Sequence, residues 1–274
     1  MKASTSPQEG NKLVFLKLGG SLITDKLAPR TPRLDVLDRL AGEIQAGLVE
    51  HPELKLLLGH GSGSFGHTSG SQYRTREGVS TPEDWQGFTE VWSDAADLNR
   101  LVMTALRDAG LPAVAFPPSA SILTGNRKII SWELSQIQSA LENNLLPVIY
   151  GDVVFDESQG GTILSTEDLF VHLAATLRPQ RILLAGRDPG VWQDFPECTH
   201  LYEELTPSDK KDLGGKVNQS VATDVTGGMG DKVNLMLDLI GTLPNLEALI
   251  FSGGEAGHIQ RALAGESPGT RLHS

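Results

Sequence analysis

Leu13-Val14-Phe15-Leu16-Lys17-Leu18-Gly19-Gly20-Ser21 decides how this chain folds. Its first four residues have the length and composition of a buried β-strand, and Lys17 places a cation at the carboxyl end of that strand. The Gly19-Gly20 pair then allows a tight turn. A second segment repeats the arrangement, since Leu54 to Leu58 reads as a strand opening into Gly59-His60-Gly61-Ser62-Gly63-Ser64-Phe65-Gly66-His67. Glycines at a strand end let backbone N–H groups approach an anion closely, and open α/β sheets bind ligands where their strands end. Two loops of this kind point to two phosphates, although a strand–Gly-Gly–helix turn also serves purely as a turn.

Working outward, strands and helices alternate. Apolar residues at Leu34, Leu37, Ala41, Ile44 and Leu48 predict a helix over 34–49 that covers one face of a sheet. Thr81-Pro82-Glu83-Asp84 offers an N-cap, a first-turn proline and two acids for a long helix reaching Ala109, where Gly110 stops it. Short strands are expected at 113–116 and 146–150, the second entering Gly151-Asp152, with a hairpin over 153–164 tipped by Gly160-Gly161. A helix over 166–177, a strand over 181–185 leading to Gly186-Arg187-Asp188, and a last strand over 248–251 follow. Between them, Asp224 to Lys232 forms a third glycine-rich turn feeding a helix through Ile240. The alternation implies an α/β fold with an open, mainly parallel sheet sandwiched between helices.

The 274 residues suffice for one full core, and a net charge of −11 argues against a nucleic-acid partner. One cysteine, Cys198, excludes an internal disulfide and suits a reducing, cytoplasmic setting. No apolar stretch is long enough to span a membrane, and polar Met1 to Asn11 reads as a disordered tail before a single domain over 12–274. No GxxxxGK[ST] cradle occurs. Gly61-Ser62-Gly63-Ser64-Phe65-Gly66 matches the dinucleotide spacing literally, but the acids some 20 residues on, Glu83 and Asp84, look like a helix start, so a Rossmann oxidoreductase is the weaker reading.

Four motifs together carry a specific resemblance: Lys17-Leu18-Gly19-Gly20-Ser21 with Lys26, Gly61 to His67, Gly151-Asp152-Val153-Val154-Phe155-Asp156, and Asp224-Val225-Thr226-Gly227-Gly228-Met229 with Lys232. In this order the chain resembles the amino acid kinase superfamily and, within it, the isopentenyl phosphate kinases. The resemblance implies phosphoryl transfer from ATP, accompanied by Mg²⁺, to isopentenyl phosphate in a homodimeric enzyme. An acceptor lobe over about 12–178 and a nucleotide lobe over about 179–274 are implied as well. Lys17 would bridge the β- and γ-phosphates, Gly19, Gly20, Ser21 and Ser62 would face the nucleotide, and Lys26 would stabilise the moving group. Gly61, Gly66, His67 and Gly151 would hold the acceptor phosphate; Asp168, Asp188, Gly228 and Lys232 would complete the nucleotide side. No spacing of carboxylates suggests a dedicated metal site, so Mg²⁺ is expected on phosphates and water.

The chain departs from the family pattern at Ser62, at Ser165-Thr166-Glu167-Asp168 and at Arg187 to Trp192. Whether Glu167 or Asp168 orients the lysines stays open, and either also suits a plain helix start. His60, directly after its strand, reads as structural, and His67 is either an acceptor ligand or a helix cap. Trp85, Phe88 and Trp92 share a helix face that could line a prenyl pocket or be ordinary core. Three other readings remain: a related kinase acting on a phosphonate such as fosfomycin, on an amino acid or on a nucleoside monophosphate; a non-catalytic nucleotide-binding regulator; and the oxidoreductase.

Overall fold

The first apolar run forms β1 (Leu13–Leu18), every residue of which is buried, so Lys17 lies inside the strand rather than beyond it. The computed structural model describes residues 12–213 and 228–274, leaving aside the side chains of His67, Thr68 and Asp212. The expected tail, Met1 to Asn11, and Asp224 to Gly227 of the third glycine motif lie outside the described residues. After β1 come a single helical turn, α1 (Gly20–Ile23), the amphipathic α2 (Leu34–Glu50), β2 (Lys55–His60) and α3 (Gly63–Gln72). The long α4 (Pro82–Asp108) starts in a capping box, in which Thr81 Oγ1 accepts from Asp84 N–H and Asp84 Oδ2 accepts from Thr81 N–H. Asp84 thus begins a helix and does not close a strand, which removes the dinucleotide reading.

β3 (Ala113–Ala115), β4 (Ile122–Gly125), β5 (Lys128–Trp132), α5 (Ser135–Glu142), β6 (Leu146–Tyr150), β7 (Asp152–Asp156), β8 (Gly160–Leu164) and α6 (Thr166–Leu177) follow. The chain continues through β9 (Arg181–Gly186), β10 (Glu204–Leu205), α7 (Lys210–Leu213), α8 (Met229–Thr242), β11 (Glu247–Ser252), α9 (His258–Leu263) and β12 (Gly269–Leu272). The expected 153–164 hairpin is present, but Gly160 and Gly161 open β8 instead of forming the tip. A side chain on Gly161 would meet the Phe88 ring at 2.8 Å, so the glycine answers to packing rather than to the turn.

The described strands form an eight-stranded sheet in the order β10-β12-β11-β9-β1-β2-β6-β3, parallel except for the β11–β12 pair. A smaller sheet, β5-β4-β7-β8, stands beside it. The large sheet runs through both 12–178 and 179–274, with β2 and β9 flanking β1. Period-two alternation sends Leu13 and Phe15 to one face, against α6 and α8, and Val14, Leu16 and Leu18 to the other, against α2, α4 and α9. Burial on both faces explains why these strands read as continuous apolar runs.

Phe170 on α6 is fully buried, 5.1 Å from the Phe15 ring centre, and its ring edge occupies the space where a Gly59 side chain would go. Phe170→Ala is expected to cost about 3–5 kcal/mol through lost burial and a residual cavity. Urea unfolding should show a lower midpoint with an unchanged slope.

Candidate active site

The site lies where parallel strands end. β1 delivers Lys17 and turns through Gly19, whose N–H donates to Ala185 O of β9 at 2.8 Å. β2 delivers Gly61, whose N–H donates to Leu18 O at 3.1 Å. The two glycine loops therefore meet backbone to backbone. A Cβ on Gly20 would sit 2.4 Å from Gly63 N, and one on Gly61 would sit 2.9 Å from Gly20 N. Gly63 has φ +50°, and a side chain there would strike Thr24 Oγ1 at 2.2 Å. Thr24 is buried for this reason: its hydroxyl donates to Gly20 O and accepts from Ser64 N–H, joining the loops.

Lys17 of β1, with Gly19, Gly20, Ser21 and Lys26 from the segment after it, lines one cleft with Gly61 and Ser62 from the second loop. Gly151, Arg187, Asp188 and Lys232 complete it from β6, β9 and α8. The structure thus brings together most of the expected residues. Gly66 lies one turn inside α3, where a side chain would press on Ser62 Oγ at 2.6 Å, and Gly228 is the residue before α8; neither lines the cleft. His67 sits on α3, and its side chain lies outside what the structure describes.

The open choice between the two acids resolves in favour of Glu167. Lys17 Nζ and Glu167 Oε1 are 2.9 Å apart, both side chains under 10% exposed. Burial works against the Glu167 carboxylate, but Lys17 and Lys232 outweigh it and hold its pKa below the usual range. Asp168, expected on the nucleotide side, is corrected by this arrangement. Its Oδ2 accepts from the Ser165 N–H and Oγ–H in a second capping box, and it is not among the residues that line the cleft.

Thr166 was not singled out from the sequence. It is buried, and its hydroxyl donates to His60 O at 2.6 Å while Gly151 N–H donates to the same carbonyl at 3.1 Å. That carbonyl ties β2, β6 and α6 together just below the cleft. His60 itself is fully buried, stacked on Tyr150 at 5.3 Å, with Nε2 3.2 Å from Asn99 Oδ1. Burial pushes its pKa down, in keeping with a structural histidine. The aromatic stripe divides: Phe88 joins a small core with Val79, Val91, Val153 and Ile163, while Trp85 and Trp92 are 36% and 47% exposed. Of that core, Ile163 reaches the cleft.

A cleft with four basic side chains, two facing glycine loops and a buried carboxylate among the lysines has the donors to hold a polyphosphate and stabilise charge on a moving phosphoryl group. The sequence pattern of the amino acid kinase family matches residues 12–251. The chain belongs to that family. It is 32% identical to the isopentenyl phosphate kinase of Methanocaldococcus jannaschii, covering 95% of this chain and 98% of that protein. The corresponding enzyme of Methanothermobacter thermautotrophicus is 35% identical over the same shares. An X-ray structure of an isopentenyl phosphate kinase superposes with a TM-score of 0.79 at 31% identity, covering 95% and 99% of the two chains. Within the family the chain stands with the isopentenyl phosphate kinases.

Glu167→Gln keeps the volume and removes the charge, leaving Lys17 without its counter-ion. Because the folded carboxyl titrates below the ordinary value of 4.5, its contribution is complete above that pH and is lost on acidification through the lowered value. The variant should therefore be less stable than wild type by about 3–5 kcal/mol near neutrality. The gap should narrow in acid, as denaturant titrations at several pH values would show.

Proposed function

We propose that this protein transfers the γ-phosphoryl group of ATP to isopentenyl phosphate, giving isopentenyl diphosphate and ADP. The observation that carries the reading is the gathering of Lys17, Lys26, Lys232 and Arg187 around two touching glycine loops, in a chain whose net charge is −11. Cations concentrated against the overall charge suit two polyanions brought end to end. The acceptor follows from the relatives, which are isopentenyl phosphate kinases over nearly the full length of both chains.

In this reading Lys17 bridges the β- and γ-phosphates, with Gly19, Gly20, Ser21 and Ser62 offering N–H groups and hydroxyls. Glu167 keeps the Lys17 ammonium in place, and Lys26 stabilises the moving group. Gly61, Gly151 and His67 hold the acceptor phosphate; Asp188 and Lys232 approach the nucleotide from the segment 179–274, and the acceptor is held by the segment 12–178. No general base is required, because a phosphate monoester already presents an oxyanion.

Mg²⁺ supplies charge neutralisation across the phosphate oxygens when bound. Phosphates and water would hold it, as Mg²⁺ commonly is held at such sites. Among the described residues no helix is long and apolar enough to cross a membrane. A cytoplasmic homodimer is the expected working form, which light scattering on the purified protein would check.

ADP release across isopentenyl phosphate, dimethylallyl phosphate, geranyl phosphate, uridine monophosphate, glutamate and fosfomycin tests the acceptor. The highest kcat/KM is expected with isopentenyl phosphate, and a chelator should abolish turnover. A preference for fosfomycin, glutamate or the nucleotide would overturn the assignment. His67→Ala should raise the KM for isopentenyl phosphate and lower kcat, with the KM for ATP and the Tm little changed. His67 falls inside α3, whose N-cap is Ser62, so the expected cap role does not hold, and a lowered Tm with normal kinetics would instead make it a structural residue of that helix.

A further inference from the structure

Lys26 is exposed on the loop of residues 24–33, yet a transferring phosphoryl group needs its cation in one place. Within the loop, Leu27 N–H donates to Asp25 Oδ1 at 2.9 Å across Lys26, Asp25 N–H donates to Thr31 O at 2.8 Å, and Arg33 N–H donates to Ile23 O at 2.9 Å. Arg30, four residues beyond Lys26, links it to the rest of the protein. Its backbone N–H donates to Ser64 O of α3 at 3.2 Å, and Thr31 N–H donates to Ser64 Oγ at 3.2 Å. Its guanidinium lies 5.9 Å from the Phe65 ring centre of α3 and reaches Asp94 at 2.5 Å and Asp97 at 2.6 Å on α4.

Asp94 is 6% exposed, and its second oxygen accepts from Ser69 Oγ of α3 at 2.8 Å. A buried carboxylate on a packed helix face is costly unless it is paired, so its presence among the apolar residues of α4 is explained by the groups it joins. It joins the Lys26 loop to α3, the helix that carries Gly66 and His67. The arginine side chain is half exposed, and ion pairs of that kind add little to stability, but a fork held by two carboxylates fixes direction.

We propose that Arg30, anchored by Asp94, is a positioning residue for phosphoryl transfer: it holds the Lys26 loop against the acceptor helix α3 so that Lys26 meets the moving group. The inference rests on the reading of Lys26 given above. Arg30 acts through Lys26 and not on the substrates.

A double-mutant cycle tests it, using Arg30→Ala, Arg30→Lys, Asp94→Asn and Lys26→Ala, with kcat, both KM values and the Tm measured on each. Arg30→Ala should lower kcat by ~10-fold or more, within what a misplaced group costs, while the KM for ATP holds. Asp94→Asn should lower kcat in the same way, and Arg30→Lys, which keeps the charge, should recover part of the loss. In the Lys26→Ala background, Arg30→Ala should change kcat by no more than about twofold, because the group it positions is gone. The same loss in both backgrounds, or a lowered Tm with kcat intact, would overturn the positioning role while leaving the reading of the site in place. Wild-type turnover in Lys26→Ala would overturn the reading of Lys26 itself, and this inference with it.

Discussion

The buried ion pair of Lys17 and Glu167 is the constraint around which the site is arranged. A buried ammonium at the end of a central strand is costly unless it is paired, and here it lies 2.9 Å from a carboxylate at the start of α6. The pair also joins parts of the chain far apart in sequence, β1 and α6. Each partner is fixed by a backbone feature of its own: Lys17 by a ladder on both sides of β1, and Glu167 by the first turn of a capped helix. The pair therefore presents its charge with little freedom to reorient, which is the condition for electrostatic stabilisation of a transition state.

Much of this was visible in the order of residues, for physical reasons that differ between elements. β1, β2, β6 and β9 are buried on both faces, so each showed as a short apolar run ended by glycine. α2 and α4 showed through spacing and through the Thr81 cap. The small sheet was half legible: β7 and β8 read as a hairpin, but β4 and β5 went unseen because they alternate irregularly around a bulge at Leu123/Thr124, and β5 is largely exposed. α3 was hidden for a different reason. Gly63-Ser64-Phe65-Gly66 has the composition of a loop, and its helical form depends on Thr24 and the facing Gly20, contacts that no local pattern encodes.

The two acids of α6 show where the site could be read and where it was missed. Ser165 and Asp168 stand at the spacing of a capping box, which commits the aspartate to the backbone and leaves Glu167 free to turn inward. That signal was present in the sequence, and weighing it would have settled the assignment. Thr166 offered no such signal, since its role depends on the His60 carbonyl, 106 residues away in the chain. Arg30 and Asp94 likewise are separated by α2, β2 and α3 and become partners once α3 packs on α4.

The meeting of the two glycine loops has one further consequence. They extend from β1 and β2, which are hydrogen-bonded neighbours in parallel register from Leu13 against Lys55 to Leu18 against His60. The spacing of the two loops is thus ruled by the inter-strand repeat of a β-sheet, about 4.8 Å, a length set by peptide geometry and not by any side chain. Helices can be exchanged and cores repacked around such a ruler without altering its graduation. A chain can therefore drift to 31% identity from a structural neighbour and still superpose on it with a TM-score of 0.79, because the spacing of its loops is set by the backbone and not by the residues that changed.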